Sequence, residues 1–162
     1  MTKYIALLRG VNVGGNNRVP MRELKEQFEA IGFEDVLTYI NSGNIIFHSL
    51  EQDETRLVKI CEEIIETSFG VKTRVAIVKA SELHEALDHA PSWWGADLES
   101  KHNAIFAIAP ASSEEIIKEV GIVNSEYEKV ASYGHVIFWS APIKTFGKTR
   151  LSRIVGTKAY SM

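Results

Sequence analysis

One ten-residue stretch has the composition of a binding loop rather than of a packed core. From Arg9 to Arg18 it holds three glycines, three asparagines and an arginine at each end. Glycine lets main-chain N–H groups approach a ligand closely, asparagine tolerates left-handed dihedral angles, and the arginines attract anions. We therefore expect this loop to bind an anion. Its candidate contacts are Arg9, Gly10, Asn12, Gly14, Gly15, Asn16, Asn17 and Arg18.

The same loop falls short of a nucleotide-hydrolysing phosphate loop. Gly10 and Gly15 have the spacing of the first and second glycines in GxxxxGK[ST]. Asn16 and Asn17, however, stand where that motif needs lysine and a Ser/Thr hydroxyl for the phosphates and magnesium. Binding of an anion without this motif remains open. In the alternative interpretation the loop binds nothing, and its glycines are present because only glycine can adopt the backbone conformation of this connection.

A second basic stretch lies close to the C-terminal end. Gly147-Lys148-Thr149 resembles the end of a phosphate loop, but Pro142 stands in place of the first glycine. We expect instead a basic helix that contacts phosphate groups through Lys148, Arg150 and Arg153. The lysine acts as a point charge, and the planar guanidinium groups of the arginines donate paired hydrogen bonds. The alternative is a plain solvated helix without a ligand.

Other catalytic and metal-binding patterns are weak. His84 and Asp88 occupy the two histidine positions of a broken HExxH motif, and their spacing favours a surface pair over a metal site. The single Cys61 lies on an apolar helical stripe and is expected in the core. The sequence identifies no catalytic base, no nucleophile and no cofactor.

Composition and charge limit the class of protein. Of 162 residues, 45% are hydrophobic and 24% charged, and no apolar run approaches the roughly 20 residues of a membrane span. A lone cysteine and the lack of a signal-peptide pattern favour a cytoplasmic location. The first 22 residues carry four of the 18 basic side chains and the last 22 carry five, but neither segment carries any of the 21 acids. If the two ends converge, they form one positive face suited to phosphate, nucleotide or nucleic acid.

The first half of the chain has the pattern of a βαββαβ unit. Short apolar runs predict strands, and apolar residues at helical spacing predict helices. The predicted strands cover residues 3–9, 35–40, 45–48 and 73–78, and the predicted helices run from Pro20 to Gly32 and from Asp53 to Gly70. This order is typical of ferredoxin-like domains, with one antiparallel sheet, strands one and three at its centre, and both helices on one face.

The second half repeats this order without its last strand. The predicted strands are residues 104–109, 127–131 and 136–139; the helices follow Ser112 and cover 145–155. We therefore expect an α+β fold of two packed α/β-plait-like subdomains. The first is the ferredoxin-like unit of residues 1–79, residues 80–102 form a helical connector, and residues 103–162 form the second, βαββα subdomain.

The segment Asn41-Ser42-Gly43-Asn44 has the residue types of a tight turn and predicts a hairpin between the second and third strands. We include Ser42 and Asn44 among the candidate ligand contacts because this hairpin and the Arg9–Arg18 loop flank the same predicted sheet. Whether they reach Arg9 is left open by the sequence.

Several of these segments together resemble one bacterial family. They are Leu8-Arg9-Gly10-Val11-Asn12-Val13-Gly14-Gly15-Asn16, Val19-Pro20-Met21 with Leu24, Gly32-Phe33, and Thr38-Tyr39-Ile40-Asn41-Ser42-Gly43-Asn44. The family is known only as domain of unknown function 1697. The resemblance is specific over residues 5–48 and implies two α+β subdomains, one ferredoxin-like, without implying an activity. It also implies a Thr-Arg-Asn-Trp-like segment and a final helix after the basic helix; this sequence stops at Met162, so it is either shorter or truncated.

Three functional hypotheses follow from these observations. The first is a binding module for a phosphate-bearing small molecule, a nucleotide or a nucleic-acid backbone, with salt-dependent affinity. The second is an enzyme that acts on a small anionic substrate at the same loop, which would stabilise an anionic transition state. The third is a structural or interaction protein whose loop is only a crossover.

Overall fold

The structure, a computed structural model, describes residues 1–156 and divides them between two compact units. The first unit consists of Met1–Leu83 and Ile108–Pro110. The second consists of His84–Ala107 and the chain from Ala111 onward. Each unit has its own sheet and its own core.

The first unit is a four-stranded antiparallel sheet with two helices. Its strands are β1 (Thr2–Leu8), β2 (Glu34–Tyr39), β3 (Asn44–Ser49) and β4 (Val75–Lys79), and its helices are α1 (Met21–Ala30) and α2 (Glu54–Phe69). The strand order β2-β3-β1-β4 puts the first and third strands at the centre. The predicted βαββαβ plait is therefore confirmed.

The core of this unit lies between the sheet and its two helices. Alternate residues of the central strands point into it, as the two-residue period of a strand requires. Tyr4 and Phe47 stack with ring centroids 5.9 Å apart, and Phe28 from α1 meets Phe47 edge-to-face. Cys61 from α2 is fully buried in the same cluster, as its place on the apolar stripe predicts. Burial raises the pKa of its thiol, so Cys61 acts as a core residue rather than as a nucleophile.

The third helix, α3 (Ala80–Asp88), follows β4 directly and leads into the second unit. There, β5 (Ser100–Phe106), α4 (Ser113–Val120), β6 (Lys129–Tyr133) and β7 (Val136–Pro142) form a three-stranded antiparallel sheet of order β5-β7-β6 with one helix. Ser112 caps α4 in the predicted capping box with Glu115.

Three predicted elements of this unit need correction. The strand predicted at 104–109 lies at Ser100–Phe106, because β5 pairs with β7 from Ser100 opposite Pro142 to Phe106 opposite Val136. The strand predicted at 127–131 lies at Lys129–Tyr133, because the main chain of Tyr127 and Glu128 bonds to Asn124 in a turn.

The predicted helix at 145–155 is replaced by two short 3₁₀ helices, Ile143–Lys148 and Leu151–Gly156. Thr149 between them has an extended backbone and bonds back to the Phe146 carbonyl through both its N–H and its hydroxyl. The N–H groups of Arg150 and Leu151 bond to the Glu128 carboxylate rather than to the preceding helical turn. A continuous α-helix cannot pass through these residues.

Among the helices of residues 1–156, none has the length and apolar character that crossing a membrane requires.

Candidate functional site

In the first unit, the Arg9–Arg18 loop folds into a small hairpin of its own. The Asn12 N–H donates to the Asn17 carbonyl at 3.0 Å, and the Asn16 N–H donates to the Val13 carbonyl at 3.0 Å. Gly14 and Gly15 form the tip, with φ of +59° and +79°. Consecutive positive φ angles suit a two-residue hairpin turn and favour glycine at both positions. Both glycines are exposed, and a side chain at either would meet no atom within 4 Å.

The Asn12 side chain fastens the base of this hairpin. Its amide donates to the carbonyls of Val19 at 2.8 Å and Asn41 at 2.9 Å, and its carbonyl accepts the Val19 N–H at 2.8 Å. Both amide hydrogens are thus committed to the chain. Asn12 therefore holds the loop in this conformation. Asn17 has a similar role, because its amide donates to the Gly10 carbonyl at 3.1 Å.

The turn between β2 and β3 packs directly against the loop. The Leu8 N–H donates to the Gly43 carbonyl at 2.8 Å, and Gly43 is buried with a φ of +87°. A Cβ atom on Gly43 would lie 2.6 Å from Val11 Cγ2 and 2.7 Å from Leu8 Cβ. Only glycine lets the two segments approach this closely.

The two candidate ligand contacts in this turn, Ser42 and Asn44, form side-chain hydrogen bonds within the turn itself. The Asn44 amide donates to the Ser42 hydroxyl at 2.9 Å and to the Tyr39 carbonyl at 3.3 Å. Ser42 and Asn44 therefore stabilise the turn that Gly43 brings to the loop. The sequence prediction did not single out Gly43, although its neighbours in the turn were named.

The two arginines of the loop differ in how they are held. The main chain of Arg9 is fixed on both sides: its N–H donates to the Arg74 carbonyl at 2.9 Å, and its carbonyl accepts the Thr73 hydroxyl at 2.6 Å. Arg18, on the returning side of the hairpin, is exposed. Asn16 is exposed beside the glycine tip.

In the second unit, three of the predicted phosphate contacts line one cavity. It has a volume of about 550 Å³, and Lys148, Arg150 and Arg153 supply its charged groups. The remaining lining comes from Ile122, Val123, Asn124 and Thr149. Among the described residues no acidic side chain lines this space, which we call the cationic cavity. Lys148 and Arg153 lie on separate 3₁₀ helices and Arg150 lies between the two, so the three residues line this space without sharing one helix face.

A buried carboxylate shapes the wall of the cationic cavity. Glu128 is 4% exposed and accepts three main-chain N–H groups: Asn124 at 2.9 Å, Arg150 at 2.6 Å and Leu151 at 3.1 Å. These bonds join the turn before β6 to the segment between the two 3₁₀ helices. Since both segments contribute lining residues, Glu128 sets the spacing across the cavity.

Two of the three cations are held by further contacts. The Arg150 Nε donates to the Val120 carbonyl at the end of α4, at 2.9 Å, which leaves its terminal nitrogens for other partners. The Lys148 ammonium lies 5.1 Å from the centroid of the Tyr127 ring. A hydrogen bond to Glu126 raises the pKa of Tyr127, so its ring stays neutral beside the lysine at physiological pH.

The residues at the two ends of the chain thus belong to different units. Arg9 and Arg18 lie in the first unit, and Lys148, Arg150 and Arg153 lie in the second. Lys158, which contributes to the positive charge of the C-terminal end, lies outside the described residues. Sequence reasoning missed Glu128, Asn124 and Thr149, since nothing in their local pattern marks them as lining or supporting a cavity. His84 and Asp88 form the expected i,i+4 pair at 3.8 Å.

Comparison with known proteins identifies a family and a similar solved structure. The family model described as "Protein of unknown function (DUF1697)" matches residues 1–138. The chain is similar to conserved bacterial protein SP0830 from Streptococcus pneumoniae, with 31% identity and a TM-score of 0.76 over 98% of this chain and 88% of that one. No curated protein matches the chain.

The matched residues include the whole loop, the turn of the β2–β3 hairpin and most of the second unit. The agreement in fold extends over nearly the full length. The chain therefore belongs to the DUF1697 family of proteins of unknown function.

Proposed function

We propose that this protein binds a phosphate-bearing ligand, such as a nucleotide or a nucleic-acid backbone, and that a phosphate group occupies the cationic cavity. The observation that carries this proposal is the lining: Lys148, Arg150 and Arg153 with no described acid among them. A cavity of about 550 Å³ lies within the range of roughly 300–1,000 Å³ that is typical of small-molecule sites.

The chemistry of the three cations suits phosphate oxygens. Arg150 and Arg153 offer planar forks that can donate two hydrogen bonds to one phosphate, and Lys148 offers a point charge. The contacts of Arg150 with Val120 and of Lys148 with Tyr127 order these side chains before binding. Such preorganisation reduces the entropy that is lost when a ligand binds.

The Arg9–Arg18 loop of the first unit is a second, separate anion-binding surface in this proposal. Its Gly14–Gly15 tip is open to solvent, and the hydrogen bonds of the hairpin leave the N–H groups of both glycines without a partner among the described residues. Arg18 adds a positive charge on the exposed side of the same hairpin. Main-chain N–H groups beside a cation are suited to an anion.

The crossover hypothesis accounts for only part of this loop. The contacts of Asn12, Asn17 and Gly43 are structural. These contacts do not account for the Gly14–Gly15 tip, which is exposed and has open space around both glycines. The second hypothesis, an enzyme that acts on a small anionic substrate at this loop, gains no catalytic group from the loop geometry.

The proposal is tested by titrating the protein with inorganic pyrophosphate, a nucleoside monophosphate and a labelled single-stranded oligonucleotide by calorimetry or fluorescence polarisation. We expect saturable binding of at least one probe that weakens as salt rises. Arg153→Ala should weaken it roughly tenfold to a hundredfold, the equivalent of one hydrogen bond to a charged group.

Lys144→Ala is the matched control. Lys144 belongs to the same basic segment but does not line the cationic cavity, so its loss should leave affinity nearly unchanged. Arg18→Ala tests the loop separately. If no probe binds, or if Arg153→Ala and Lys144→Ala weaken binding equally, the cavity is not the site. A titration that is flat between low and high salt would exclude nucleic acid.

A further inference from the structure

A second cavity of the second unit contains a serine with the surroundings of a nucleophile. Ser140 on the central strand β7 lies directly opposite His102 on β5 and Lys129 on β6. Directly paired residues of neighbouring antiparallel strands project to the same face of a sheet. Lys129, Ser140 and His102 therefore form a row across all three strands.

The imidazole of His102 is oriented so that its basic nitrogen faces the serine. His102 Nε2 lies 2.7 Å from the Asp97 main-chain carbonyl, which can only accept, so Nε2 carries the hydrogen. Nδ1 is then the acceptor in the neutral ring, and it receives the Gly95 N–H at 3.0 Å. Ser140 Oγ lies 2.6 Å from the same Nδ1, so its hydroxyl donates there and shares the single lone pair of that nitrogen with the Gly95 N–H. This is a nucleophile, a base and a group that orients the base.

Ser140 also has a space in which a substrate can lie. Ser140 is only 5% exposed, yet it lines a cavity of about 270 Å³. Trp93 and Tyr127 give this cavity aromatic walls, and Asp97, Glu126 and Glu128 give it negative charge. Lys129 is its one cation among the described residues. We call this space the serine cavity.

We propose that Ser140 and His102 catalyse acyl transfer from a small carboxylic ester. Ser140 Oγ attacks the ester carbonyl carbon while its proton moves to His102 Nδ1. The tetrahedral intermediate expels the alkoxide, which takes that proton and leaves as an alcohol with the acyl group on Ser140. Water then donates a proton to Nδ1 and attacks the acyl carbon, and Ser140 leaves with the proton from Nδ1, which gives the carboxylic acid.

The remaining groups of the serine cavity define the substrate class. The Lys129 ammonium is the charge available to stabilise the oxyanion of the tetrahedral intermediate. The carboxylates of Asp97, Glu126 and Glu128 disfavour an anionic ester, and the aromatic walls accept an apolar or cationic group. The substrate is thus a small neutral or cationic ester, which is different chemistry from the phosphate-bearing ligand of the cationic cavity.

A fluorophosphonate with small uncharged alkyl groups tests this inference on the full chain. Attack by an activated serine displaces fluoride and leaves a stable adduct, which intact-mass measurement detects and peptide mapping locates. We expect one adduct per chain, on Ser140. Hydrolysis of p-nitrophenyl acetate should be lost in Ser140→Ala and fall roughly a hundredfold or more in His102→Gln, because the base is removed.

Ser132→Ala is the matched control, because Ser132 is an exposed serine on the neighbouring strand β6 that does not line the serine cavity, and labelling should be unchanged in this variant. Mapping of the wild-type adduct needs no variant, so it decides the question even if His102→Gln fails to fold. The proposal is overturned if the wild-type chain is not labelled, if the adduct lies on another residue, or if folded His102→Gln is labelled at the wild-type rate. In each case the Ser140–His102 pair serves only to hold the Gly95–Asp97 segment.

Discussion

The close approach of the β2–β3 turn to the Arg9–Arg18 loop can be tested by adding one methyl group. In Gly43→Ala, the new Cβ would lie 2.6 Å from Val11 Cγ2 and 2.7 Å from Leu8 Cβ. Leu8 Cβ is attached to the main chain of a central strand, so it cannot move away by a rotamer change. Overpacking of this kind costs roughly 1–3 kcal/mol. The φ of +87° adds about 1–2 kcal/mol for a non-glycine residue.

We therefore expect Gly43→Ala to lower the free energy of unfolding by roughly 2–5 kcal/mol. Gly14→Ala is the control, because its φ of +59° carries the same kind of strain but its Cβ meets no atom within 4 Å. It should cost about 1 kcal/mol, since alanine also restricts the unfolded chain. Chemical denaturation followed by far-UV circular dichroism gives both values.

Hydrogen exchange of the Leu8 amide, which donates to the Gly43 carbonyl, gives a local readout. Exchange should accelerate in Gly43→Ala and stay near the wild-type rate in Gly14→Ala. Equal stabilities of the two variants, or an unchanged Leu8 amide in Gly43→Ala, would refute the docking of the turn against the loop.

Three further substitutions probe the groups that hold each unit together. Asn12→Ala should destabilise the first unit by about 2–3 kcal/mol, because three hydrogen bonds are lost. An unchanged denaturation midpoint would contradict the role of Asn12 in holding the loop. Glu128→Gln should lower the stability by roughly 2–4 kcal/mol, because the carboxylate accepts three N–H groups with two oxygens and an amide has only one acceptor oxygen. It should also weaken phosphate binding, although no cation is removed. Hydrogen bonds to Glu82 and Glu54 raise the pKa of Lys79, so Lys79→Met should cost about 1–2 kcal/mol at pH 7. That difference should shrink above pH about 10.4, where the unfolded lysine loses its proton before the folded one does; a difference that grows there would contradict the assignment.

Local sequence signals were sufficient to predict the architecture of the first unit. The glycines after each helix, the Asn41–Asn44 turn and the alternation of the strands all act between near neighbours, and the resulting βαββαβ order permits few topologies. The prediction failed where a distant partner decides the local structure. Glu128 takes the N–H groups of Arg150 and Leu151 from 22 and 23 residues away, and so breaks the helix predicted at 145–155.

For the candidate sites, too, sequence patterns indicate local features but not the contacts that depend on the fold. The composition of the loop predicts a main chain that a ligand can approach, and the basic segment predicts phosphate contacts by Lys148, Arg150 and Arg153, but neither pattern indicates a hairpin tip or a cavity. Sequence alone could not show that the Asn12 amide is committed to Val19 and Asn41, because those contacts depend on how the loop folds back. Nor could it place Ser140 beside His102, since that pairing follows from the register of β5 on β7.

The measurement that tests the central claim most directly is a crystal structure of the full chain soaked with inorganic pyrophosphate or a nucleoside monophosphate. We predict density for a phosphate group inside the cationic cavity, within hydrogen-bonding distance of Arg150 and Arg153, that disappears in crystals of Arg153→Ala. A phosphate that binds elsewhere while the cavity holds only water, at ligand concentrations that saturate binding in solution, would contradict the account.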